Sequence, residues 1–292
     1  MKTSESLFVP IRGLRYHCRC WGDERAPKLF MLHGWMDVSA SFQFLVDALR
    51  GDWRVIAPDW RGFGLSEWAK SDSYWFPDYF ADLDRLLDHF QPHAPATLVG
   101  HSMGGNVAAM YAGVRPARVS HFINLEGLGL TGTRADKAPE RYARWLEELT
   151  DTKPAFRDYD SFDALAERLR SNNSRLSEER AAFLARHWGR AKPDGRVELA
   201  SDPAHKLVNP VLYHVEEAEA CWSRVVAPVF WVEGAESKAT EMLKLSGADL
   251  AERKACFRGL TECVVPEAGH MLHHDQPERL AALIEAFLRK AA

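Results

Sequence analysis

"LVGHSMGGNVAAMYAG", residues 98 to 113, decides how the rest of the chain is read. It begins as an apolar run, passes through Gly100, His101, Ser102, Met103, Gly104 and Gly105, and continues with small residues at helical spacing. A strand that turns sharply into a helix needs glycines where the two backbones meet, because a Cβ there would collide. Gly100 and Gly104 stand at those places, and Gly105 permits close packing. The pattern G-x-S-x-G is loose by itself; the strand before it and the helix after it give it meaning. Ser102 is then expected to project above the sheet, its hydroxyl near the positive end of the helix. The plainer reading is a serine that caps a helix in a glycine-rich bend, and other parts of the chain decide between the two.

Working outward, "KLFMLHG" (28 to 34), "WRVIAPD" (53 to 59), "ATLVGHS" (96 to 102), "HFINLEG" (121 to 127), "PVFWVEG" (228 to 234) and "LTECVVPEAGH" (260 to 270) are short apolar runs. Helix-period segments at 39 to 50, 74 to 90 and 104 to 114 separate the first four. Such alternation implies right-handed crossovers and a mainly parallel, doubly wound α/β sheet covered on both faces. The stretch 5 to 21 alternates about a turn at Gly13 and predicts an N-terminal antiparallel hairpin at the sheet edge. Between Gly127 and Val225 the alternation stops. Segments 138 to 151, 160 to 173 and 176 to 191 carry caps and apolar residues at helical spacing. We read a core of residues 1–127 and 226–292, with a helical insertion at 128–225 lying as a lid over the carboxyl ends of the strands. Trp145, Phe156, Phe162, Phe183 and Trp188 are expected to line its inner side.

The 292 residues are 46% hydrophobic and 27% charged, the composition of a soluble globular protein. Net charge is −4 with no basic run, which favours neither nucleic acid nor an anionic membrane as partner. A small neutral or mildly charged molecule fits better. No stretch approaches the roughly 18 apolar residues of a membrane span, and "MKTSESLFVPIRGL" lacks the features of a secretory signal, so the expected location is the cytosol. Five cysteines, with Cys18 and Cys20 alternating on one strand, read as free thiols. "HMLHH" (270 to 274) lacks the spacing of a metal motif, and no metal or cofactor is expected.

A serine hydroxyl is a poor nucleophile until a positioned base takes its proton. Of twelve histidines, His270 is best placed: it follows the last strand, at the sheet edge that carries Ser102. His101 points away on the strand's alternation, and His273 and His274 belong to the entry of the final helix. Attack on a carbonyl also needs preorganised donors for the oxyanion. The backbone N–H of Trp35, after "LHG", can face that of Met103 at the start of the helix. His33 reads as a structural hydrogen-bonding residue.

In order and spacing, "LHGW", "APDWRGFGLSE", "GHSMGG" and "PEAGHMLHHDQPE" resemble the α/β-hydrolase superfamily over nearly the whole chain. The resemblance implies Ser102 as nucleophile, His270 as base, and Trp35 and Met103 as oxyanion donors; Asp59 and Arg61 read as structural. The acid departs from the common pattern. Most members place Asp or Glu three residues past the glycine of "PVFWVEG", and here that residue is Ser237. Glu126, at the end of the preceding core strand, stands where one branch of similar haloalkane dehalogenases holds its acid, and is the preferred candidate. Glu236 is the alternative, with Glu233 also near. An Asp at the elbow would imply a dehalogenase or epoxide hydrolase; Ser102 points instead to acyl transfer to water. We therefore expect a serine hydrolase, a carboxylesterase on small to medium apolar esters, without cofactor. Alternatives are a cofactor-independent dioxygenase or perhydrolase, a carbon–carbon hydrolase, or a ligand receptor that has lost catalysis. Oligomeric state is not legible.

Overall fold

A computed structural model describes residues 1–151 and 154–290, so positions 152–153 of the expected insertion and 291–292 of the expected core lie outside the described residues. Strands β1 (Ser4–Ile11) and β2 (Leu14–Trp21) form the N-terminal hairpin, turning through Arg12 and Gly13, whose φ values of 47° and 81° are left-handed. Then come β3 (Lys28–Leu32), α1 (Gln43–Ala48), β4 (Arg54–Pro58), α2 (Phe76–Phe90), β5 (Ala96–His101), α3 (Met103–Val114) and β6 (Val119–Leu125). Residues 128–225 contribute α4 (Ala138–Asp151), α5 (Phe162–Asn172), α6 (Glu178–Trp188), β7 (Gly189–Ala191), β8 (Val197–Leu199) and α7 (Val215–Trp222), the last of which packs in the same apolar layer as α3. The chain finishes with β9 (Val229–Gly234), α8 (Ala239–Met242), α9 (Gly247–Ala255), β10 (Leu260–Val265), α10 (Leu272–Asp275) and α11 (Pro277–Lys290).

Eight strands make one sheet in the order β1-β2-β4-β3-β5-β6-β9-β10. β2 runs antiparallel to both neighbours and the rest are parallel. Alternate residues of the central strands feed two apolar layers, as the period of two in a strand requires. Phe30, Ile56, Leu98, Phe122 and Trp231 face α2, α3 and α7. Leu29, Met31, Val55, Val99, Ile123 and Val232 face α1 and α11. Leu280, Ile284 and Leu288 recur every four residues, which turns one stripe of α11 toward the sheet.

Three features were not legible. β7 and β8 form a small antiparallel hairpin inside the insertion, where only helices were expected. α8 and α9 fill the crossover between β9 and β10, and α9 starts on a capping box of Ser246 and Asp249. Phe162, Phe183 and Trp188 pack on a third apolar cluster built by Leu165, Leu169, Leu184 and Val197. Phe156 lies under the Lys206 ammonium at 4.9 Å. None of the five aromatics expected on the inner side lines the cavity: α5 and α6 bury the stripes that carry Phe162, Phe183 and Trp188 against each other, Phe156 sits under Lys206, and Trp145 on α4 is not among the wall residues.

Candidate active site

β5 delivers Ser102 to the carboxyl edge of the sheet and α3 begins at the next residue. Ser102 has φ 50° and ψ −115°, a region an L-residue occupies only when its surroundings hold it there. Its N–H donates to the Leu125 carbonyl at 2.8 Å and its carbonyl accepts from the Asn106 N–H at 3.0 Å, so both flanking elements fix the turn. The glycines act as expected. A Cβ on Gly104 would lie 2.1 Å from the Leu32 carbonyl oxygen, and one on Gly100 would lie 2.6 Å from the Gly105 nitrogen. Met103 is the first residue of α3, where backbone N–H groups have no intrahelical acceptor. A Cβ on Gly34 would come within 3.2 Å of the Ser102 Cβ, which sets the Gly34–Trp35 backbone against the serine.

β6 ends beside β5, with Leu125 paired to His101, and Glu126 follows with φ 56°. Its carboxylate is buried and meets three donors. Oε1 accepts from the Gly234 N–H at 2.7 Å; Oε2 accepts from the Ser237 hydroxyl at 2.5 Å and stands 2.7 Å from His270 Nδ1. Burying a carboxylate is costly without such partners. Ser237, the residue that leaves the common acid position empty, thus hydrogen-bonds the carboxylate on the neighbouring strand. Glu236 does not reach the histidine; it pairs with Arg175 near the surface. Glu233 accepts from the Trp231 indole at 3.0 Å and pairs with Lys254.

With Nδ1 of His270 committed to Glu126, Nε2 is the nitrogen left to exchange a proton. The His270 carbonyl bonds His101 Nε2 at 2.9 Å, which steadies the loop after β10. Burial, then the proximity of His270, holds the His101 imidazole well below its ordinary value, so it stays neutral. His33 is a structural residue: Nδ1 donates to the Gly34 carbonyl at 2.7 Å and Nε2 accepts from the Trp60 N–H at 2.9 Å. Burial pushes it down to about 4. Asp59 accepts from the N–H groups of Ser39 (2.6 Å) and Leu65 (2.9 Å) and bonds His17 (2.7 Å). Burial alone would raise its carboxyl, but the bond and charge of His17 hold it well below the carboxylate range. Arg61 grips the buried Asp82 through two nitrogens, one at 2.7 Å, and braces the loop from behind.

Ser102, Met103, Trp35, Glu126 and His270 open on one cavity of about 550 Å³. Its walls are largely aromatic and aliphatic, including Tyr74, Trp75, Phe76, Leu130, Met242 and Leu243, with Arg141, His205 and Asn209 contributed by the insertion. Sequence reasoning singled out none of these wall residues. His205 is stacked between Phe63 (3.9 Å between centroids) and Tyr74 (3.8 Å), and burial lowers it to about 3. Spacing within "HMLHH" also misses that His273 meets Asp37 and His101 from other elements, their ligand atoms within 4.8 Å of one another. The closest approach of His273 to Asp37, 3.9 Å, is wider than the roughly 3.3 Å between donors set tetrahedrally about zinc.

Residues 27–277 match the family model described as alpha/beta hydrolase fold, and the chain belongs to that family. It is 28% identical over 99% of its length to a serine hydrolase-like protein of Danio rerio, 90% of which is covered. It is 25% identical to epoxide hydrolase 4 of Mus musculus, over 95% of this chain and 77% of that one. Among solved structures, the thioesterase domain from the curacin biosynthetic pathway superposes with a TM-score of 0.86 at 25% identity, over 97% of this chain and 99% of that one. Fold, family and relatives together make the chain a hydrolase. No described helix is long and apolar enough to cross a membrane.

Proposed function

We propose that the chain is a serine hydrolase that cleaves carboxylic esters of small to medium apolar molecules through an acyl-enzyme on Ser102. The observation that carries this reading is the approach of His270 Nδ1 to Glu126 at 2.7 Å on the rim of the cavity that also exposes Ser102. Glu126 fixes the tautomer of His270 and stabilises the imidazolium that forms when Nε2 takes the Ser102 proton. Ser102 Oγ then bonds the substrate carbonyl carbon, and the N–H groups of Trp35 and Met103 receive the developing oxyanion. His270 returns the proton to the departing alcohol, and a water activated in the same way releases the acid. The core of 1–127 and 226–292 supplies the chemistry, and the insertion at 128–225 covers the cavity as a lid. Free thiols at all five cysteines support a cytosolic location.

Similarity to an epoxide hydrolase does not carry that activity here. Opening an epoxide through an ester intermediate needs a carboxylate at the elbow, and Ser102 occupies it. The reading is tested with p-nitrophenyl acetate, butyrate and octanoate under pre-steady-state conditions. A burst of one nitrophenolate per chain, abolished in Ser102→Ala, is expected; no turnover of any of the three would overturn it.

A further inference from the structure

We infer that the substrate carries a carboxylate and that Arg141 binds it; this rests on the ester-hydrolase reading of Ser102. Arg141 reaches the cavity from α4. Its Nε donates to the Asn209 carbonyl at 2.5 Å, and Asn209 is itself fixed, its Nδ2 donating to the Tyr74 carbonyl at 2.8 Å and its Oδ1 accepting from the Val211 N–H at 2.8 Å. The guanidinium is therefore anchored along one edge, with Nη1 and Nη2 left to bind. Among the described residues it has no carboxylate partner, although Arg144, one turn further along α4, pairs with Glu148 at 2.7 Å and Lys137, just before the helix, pairs with Glu140 at 3.2 Å.

The cavity offers Arg141 no internal counter-charge. Glu126 is occupied by Gly234, Ser237 and His270, and the other walls are apolar, aromatic or, at Asn106 and Asn209, uncharged amides. His205 is neutral in its stack and does not compete for an anion. A fixed, half-buried guanidinium facing apolar walls is stabilised most by a planar oxyanion that takes two parallel N–H bonds, which is what a carboxylate presents. The class of substrate is then an ester of a short diacid, or an ester whose alcohol part bears a carboxylate, with an apolar stretch between the charge and the scissile bond.

Two matched pairs test this: p-nitrophenyl hydrogen glutarate against p-nitrophenyl valerate, and 4-(valeryloxy)benzoate against phenyl valerate. The expected result is a kcat/KM preference of about 10- to 100-fold for the charged member of one pair, the range of a hydrogen bond to a charged group. That ratio should collapse toward unity in Arg141→Gln and recover in part in Arg141→Lys. A purely structural role for Arg141 would lower both members equally and leave the ratio unchanged, which would overturn the inference while the esterase reading stands. Calorimetry with Ser102→Ala reads binding apart from turnover. Binding of a charged ester that weakens about 10-fold or more when Arg141→Gln is added upholds the inference even if no ester is cleaved by the wild type. Equal binding of charged and neutral esters contradicts it.

Discussion

Glu126 meets Gly234, Ser237 and His270, and only the last is a group that can move a proton in the proposed reaction. Replacing it with Gln keeps the shape and removes the charge that favours the working tautomer of the imidazole. The expected fall in kcat is on the order of 10³ to 10⁴, against little change for Glu236→Gln, whose partner is Arg175. Equal and small losses in steady-state ester assays would reject Glu126 as the acid. Ser237→Ala removes one donor to a buried carboxylate and should lower kcat by about 10-fold, the scale of a hydrogen bond to a charged group. In the Glu126→Gln background, Ser237→Asp puts a carboxylate at the position most relatives use. Partial recovery of kcat would show that two neighbouring strand ends can serve the same histidine, and no recovery would show that only the β6 end has the geometry.

At the scale of elements, the elbow works because β5, β3 and α3 approach closer than any side chain permits. Gly104→Ala would drive a methyl into the Leu32 carbonyl at 2.1 Å, and backbone on both sides must shift. A loss of stability of about 1–3 kcal/mol is expected, in the range of overpacking a tight interior; an unchanged urea midpoint would contradict that account of the turn. These glycines were legible in the sequence because close backbone contact has few solutions. So were Ser102 and His270, since strand ends in a parallel sheet gather at one edge. Glu126 was legible as a carboxylate at such an end, and its contact with His270 depends on a loop after β9 whose path no local pattern sets. The cavity walls were not legible. Tyr74, Arg141 and the pair His205 and Asn209 come from three separate segments that meet only through tertiary packing, while Phe162, Phe183 and Trp188 turn into a cluster of their own. β7 and β8, at three residues each, are too short to show a period.

Across the whole molecule, the interior holds an unusual number of neutral histidines. Burial lowers His33 to about 4, His205 to about 3 and His274 to about 3, and it holds His101 and His273 well below the ordinary value. A histidine depressed in the folded state binds its proton first in the unfolded chain. Its contribution to stability is complete above about pH 6.5 and is lost as pH falls toward the folded value. Each fully titrating site adds about 1.4 kcal/mol of loss per pH unit. Asp37, raised to about 7 by burial, acts in the opposite direction over the same interval, while His187, lowered to about 4 chiefly by burial, adds a sixth to these five. Urea midpoints should therefore drop steeply between pH 6.5 and 4, and a flat profile from pH 7 to 5 would contradict the burial of these rings as neutral species. The same packing gathers β3, β5, β6 and the loop after β10 at one cavity, and the central claim is that this gathering makes Ser102 a nucleophile. Mass spectrometry after reaction with a fluorophosphonate tests it most directly. A single phosphonyl adduct on the Ser102 peptide is expected in the wild type, formed far more slowly in Glu126→Gln and absent in Ser102→Ala; an unlabelled wild type, or an adduct that persists in Ser102→Ala, would contradict it.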